Sequence, residues 1–167
     1  MWLMKTLLTS GCTNQRGAGH PEPDPCHLRH QEMEKRYGSR DRSWTYVGVE
    51  FHAVRPQVWF PGSNETPPRK HIAICLSAEA FSDRQRTVYQ LAHECVHLLA
   101  PVVGGGAPVI EEGLATAFSE DMIEYWCGNT SKQAYTSTQK YIDAAASVRQ
   151  LLVLEPDAIR QLRRICL

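Results

Sequence analysis

The chain of 167 residues lacks an excess of either charge: 18 Lys and Arg balance 18 Asp and Glu. A broad nucleic-acid surface needs a basic surplus, so no nucleic-acid partner is expected. It also lacks any apolar run long enough for a membrane-spanning helix. No Cys-x-x-Cys pair occurs among Cys12, Cys26, Cys75, Cys95, Cys127 and Cys166. Scattered thiols, two of them inside apolar segments, read as reduced packing residues and give a cytoplasmic expectation. Finally, no histidine follows His97, an absence that later restricts the choice of metal ligands.

What is present fits one domain of ordinary size with its own core. Residues 1–43 read as an irregular or mobile arm, because 13–43 are rich in Pro, Gly and charge and show no apolar periodicity before Tyr37. Leu7-Leu8-Thr9-Ser10-Gly11-Cys12 resembles the end of a lipoprotein signal. Lys5 interrupts the apolar stretch ahead of it, so a lipid-anchored or secreted form is the alternative that turns on Cys12. Asn64 and Asn129 sit in glycosylation acceptor patterns that matter only for a chain secreted from a eukaryotic cell.

Residues 44–167 read as one α+β domain, a small N-terminal sheet followed by helices. Strands are expected over 44–53, over 57–60 ahead of Pro61-Gly62, and over the apolar run Ile72–Leu76. From Ser82-Asp83 onward, apolar residues recur with helical spacing at Val88, Leu91, Ala92, Cys95, Val96 and Leu99, until Pro101. After Gly104-Gly105-Gly106, a second helix is expected over 110–126. A third should cover 133–154, and a short one should follow Pro156. The Arg160–Arg164 run reads as the wet face of that last helix.

The chemistry centres on His93-Glu94-Cys95-Val96-His97. At i and i+4 on a helix, two imidazoles project from one face and can hold one metal ion. Glu94, turned by one residue, faces the open side and can act as general base toward water. Zinc suits such ligands, one ion per chain. The chain's own His and Glu content makes this pattern a chance event about 0.02 times, so its helical setting is what gives it weight. Cys26, His27 and His30 find no second pair to close a site, and His20, His52 and His71 stand alone.

A catalytic zinc needs a third protein ligand. With no later histidine, the pattern whose third ligand is a downstream His is excluded. The search moves to carboxylates, and Glu111-Glu112-Gly113-Leu114-Ala115 opens the second helix. Small residues at Ala115, Thr116 and Ser119 share a face with Glu112 and would let the two helices approach.

Here the chain resembles the gluzincins, the H-E-x-x-H…E branch of zinc peptidases. Glu112-Gly113-Leu114-Ala115 is similar to their "N-E-G-x-A" segment. That resemblance implies a zincin-like fold and a compact member of the branch, cleaving peptide or protein substrates. It implies Glu112 as third ligand, with Glu111 the rival. It also implies that Gln57–Gly62 contains an edge strand to which a peptide adds. Tyr125, Tyr135 and Tyr141 are the candidates to steady the oxyanion. Glu120, with Asp121 as runner-up, is the expected carboxylate orienting a ligand histidine. The alternative function is a zinc-stabilised binding or regulatory module without turnover; retention of Glu94 separates the two, since a structural site needs no base.

Overall fold

The computed structural model describes residues 25–52, 55–128 and 135–165. In chain order these form helix α1 (Pro25–Tyr37), strands β1 (Thr45–His52), β2 (Gln57–Trp59) and β3 (His71–Ser77), and a 3-10 turn (Ala78–Phe81). Then come helices α2 (Arg84–His97), α3 (Val109–Cys127), α4 (Gln139–Leu154) and α5 (Ala158–Ile165). The class is α+β, as expected, with a three-stranded sheet and five α-helices among the described residues.

Helix α1 departs from the expectation of an irregular segment. The helix carries Met33 and Tyr37 into the core, 0 % and 5 % exposed. Two residues four apart make a stripe too short to register as periodicity, yet enough to anchor one face. Residues 1–24, with the possible lipoprotein cysteine, lie outside the described residues, as do the side chains of Cys26 and His27. His30 packs edge-on against Tyr46.

The sheet order is β1-β3-β2, with β1 parallel and β2 antiparallel to β3. The run Ile72–Leu76 is buried throughout, which fits a central strand packed on both faces. Among the described residues strand β2 pairs only with β3 and so forms an edge.

Helix α2 starts where Asp83 caps it, its side chain accepting the Arg86 N–H; such a cap satisfies a helix donor that would otherwise be orphaned. It ends at His97, ahead of Pro101. One face, Leu91, Cys95 and Leu98, packs with Ile72, Ile74 and Leu76 of β3. Another, Val88, Tyr89, Ala92, Val96 and Leu99, packs into a helical core with Leu114, Ala115 and Phe118 of α3 and Val148 of α4. The helix is therefore wedged between sheet and helices, and only the strip carrying its histidines stays open.

Helix α3 begins after Pro108 and ends at Gly128, whose left-handed φ of 57° suits a glycine terminator. Helix α4 starts at Gln139, six residues later than expected; 135–138 are not helical, and 133–134 lie outside the described residues. The arginines of α5 are not simply a wet face. Arg160 donates to the carbonyls of Lys35 and Arg36, and Arg163 to those of Tyr37, Ser39 and Leu99. They thereby satisfy the free carbonyl end of α1 and the residue just beyond α2. No described helix is long and apolar enough to cross a membrane.

Candidate metal centre

On α2, His93 and His97 lie one turn apart with ring centroids 5.2 Å from each other. Helix α3 crosses beside them and brings its first turn to the same point. Glu112 Oε2 lies 3.1 Å from His93 Nε2 and 3.9 Å from His97 Nε2. One donor atom from each of these three residues lies within 4.8 Å of the others, an arrangement that could hold a metal ion. Four-coordinate zinc with bonds of about 2.0–2.2 Å needs donors about 3.3 Å apart, so modest rotation of the side chains suffices.

The tautomer of one of the three residues is already set. Glu111 Oε1 lies 2.6 Å from His97 Nδ1. A carboxylate there holds the proton on Nδ1 and leaves the Nε2 lone pair pointing at the shared site. Glu111 is thus the carboxylate that orients a histidine, not a member of the converging set. Glu120 and Asp121, expected in that role, instead face Arg149, and Asp121 also faces Arg36. Eight residues from Glu112 to Glu120 amount to about 12 Å along the helix, beyond reach of either imidazole. His93 is positioned by stacking instead: Tyr89 lies against it at 6.2 Å, and Tyr135 against Tyr89 at 5.0 Å. Its Nδ1 is buried without a hydrogen-bond partner among the described residues.

Glu94 does not join the converging set. It is 4 % exposed, lies in the same cleft, and accepts a hydrogen bond from the backbone of Val58 in edge strand β2. Burial pushes its carboxyl above the ordinary range, although the nearby His93 and His97 oppose this. For Glu112, burial works in the same direction, but the hydrogen bond with His93 and the charges of His97, His93 and Lys140 overcome it and hold the group low. An anionic carboxylate is the form a metal requires. Burial would lower the pKa of His97; the Glu111 hydrogen bond and the charges of Glu94, Glu111 and Glu112 outweigh it and raise it.

The cleft has a volume of about 950 Å³ and runs between β2, the cleft face of α2, the glycine-rich loop 104–106, and the segment 135–141. Tyr135 and Tyr141 line it, whereas Tyr125 is 74 % exposed and does not. Tyr135 donates to Gln85, and Lys140 sits over the Tyr141 ring.

Gly113 was legible as part of a motif but not for its packing role. A Cβ there would lie 2.6–2.8 Å from Ala144 atoms of α4, including its backbone. Glycine therefore lets α4 press against the turn that carries Glu112. The signal was its place inside a helix, beside a candidate ligand, where loss of propensity needs a reason. Ala115, Thr116 and Ser119 are each 0 % exposed, matching the expected small-residue face.

No family model, curated protein or solved structure matches the chain.

Proposed function

We propose that the chain is a zinc-dependent peptidase of the H-E-x-x-H…E kind, with a zincin-like fold, in which His93, His97 and Glu112 hold the ion and Glu94 is the general base. The observation that carries this reading is the meeting of both Nε2 atoms with Glu112 Oε2, with Glu94 alongside but bonded elsewhere. Zinc held there would polarise a peptide carbonyl and bring the pKa of water to about 7. Glu111 keeps His97 in the tautomer that such binding needs. Glu94 takes the proton of the attacking water on its carboxylate and passes it to the departing amine nitrogen. Its burial favours the form that carries the proton between the two steps.

Strand β2 supports a peptide substrate in particular. One of its edges pairs with no other described strand, β2 lies at the cleft, and an extended peptide can add to such an edge through main-chain hydrogen bonds. Tyr135 and Tyr141 are the candidates to steady the developing oxyanion, both lining the cleft.

The test pairs elemental analysis with a peptide-library digest of wild type and Glu94→Gln. About one zinc per chain is expected in both. The Gln variant should lose activity by a factor of about 10² or more. An unchanged rate with zinc in place would refute the mechanism. If wild type binds zinc and cuts no peptide, the reading as a zinc-stabilised binding module takes over.

A further inference from the structure

Several cations outside the cleft are taken up by carboxylates. Arg36, Arg42, Arg69, Arg149 and Arg160 each lie 2.7–3.6 Å from a carboxylate. Three cations line the cleft: Arg55, Arg86 and Lys140. Arg55 and Lys140 make no ion pair among the described residues. Arg86 meets Asp83 through Nε at 3.5 Å, and that buried Nε has no hydrogen-bond partner. The three carboxylates that line the same cleft are already committed. Glu111 and Glu112 face the imidazoles, and Glu94 faces Val58. Cationic side chains with donors left over on a concave wall attract an anion, and guanidinium groups suit a carboxylate in particular.

We infer that Arg86 and Lys140, with Arg55 across the cleft, form a carboxylate-recognising subsite, so that the chain acts on acidic peptides. Calling the ligand a substrate rests on the peptidase reading; the charge recognition does not. Arg86 lies on the cleft face of α2, seven residues before His93, or about 10 Å along the helix. An extended peptide covers that distance in about three residues. The carboxylate recognised by Arg86 therefore belongs to a position two or three residues from the bond that is cut. It comes either from an Asp or Glu side chain or from the peptide's C-terminus.

The two sources are distinguished with peptides of one parent sequence. One carries an internal Glu and an amidated C-terminus, one has Gln in its place, and one is the Gln peptide with a free C-terminus. Binding is measured by fluorescence anisotropy on Glu94→Gln protein stripped of metal, and cleavage on zinc-loaded wild type. One of the two carboxylate peptides should bind about tenfold more tightly than the amidated Gln peptide, the scale of a hydrogen bond to a charged group. Adding Arg86→Gln and Lys140→Gln should bring them to parity while leaving affinity for the amidated Gln peptide unchanged. Should the added substitutions unfold the protein, salt gives the same reading, because raising it to about 1 M shortens the screening length to about 3 Å and should erase the advantage. Equal binding of all three peptides at low salt overturns the subsite, whatever the cleavage result. A carboxylate preference in binding with no cleavage by wild type keeps the subsite and overturns the peptidase.

Discussion

Helix α3 carries two consecutive acidic pairs, Glu111-Glu112 near its start and Glu120-Asp121 two turns later. By composition they are nearly interchangeable, yet they do different things. The first pair straddles His97, with Glu111 at Nδ1 and Glu112 near Nε2. The second meets Arg149, and Asp121 also reaches Arg36 at 2.7 Å. Guanidinium stays protonated and has no lone pair to offer, so the second pair can only clamp helices together. Imidazole keeps a lone pair that a carboxylate can aim. The lesson is that an acidic residue's role is decided by the basicity of its neighbour, not by its place in a motif.

The largest effect should come from Glu112→Ala, which removes one of three converging donors. Zinc affinity in a chelator competition should fall by more than about 100-fold, exceeding the loss typical of an orienting carboxylate. Retention of zinc with the loss shifted to Glu111→Ala would reverse the two roles. Glu111→Gln should weaken zinc by about 10- to 100-fold while the ion still binds, because only the tautomer and orientation of His97 are loosened. An effect as large as that of Glu112→Ala would make Glu111 a ligand. Asp121→Asn should leave zinc affinity unchanged and lower thermal stability by about 1 kcal/mol or less, the scale of partly exposed ion pairs. A change in zinc binding in that variant would mean that the two pairs communicate along the helix.

Much of this centre was legible from the chain. The strands, the boundaries of α2 and the pairing of His93 with His97 follow from local spacing, which helix geometry converts directly into a shared face. Glu112 needed the additional resemblance of its segment, because a contact across a gap of fourteen residues has no periodicity of its own. The orienting carboxylate was misread at Glu120 for the same reason: sequence spacing does not tell which imidazole nitrogen a side chain will meet. Helix α1 escaped notice because, among the described side chains, only Met33 and Tyr37 carry it into the apolar core, too few to show a period. The cleft wall at 135–141 was invisible as a wall, since it depends on how closely α4 approaches Gly113.

The contacts of Arg163 have a consequence for how this sequence can drift. Its guanidinium reads three main-chain oxygens, those of Tyr37, Ser39 and Leu99, and touches none of those residues through the features that distinguish them. A bond to a carbonyl oxygen survives any replacement that leaves the backbone in place. Ser39, exposed on the surface, is thus free to vary, while the arginine is not. The stretch leading out of α1 and the stretch just past the histidine-bearing helix are both gripped by this one residue of α5. Related sequences should keep a fork-shaped cation at this position long after the residues it grips have diverged.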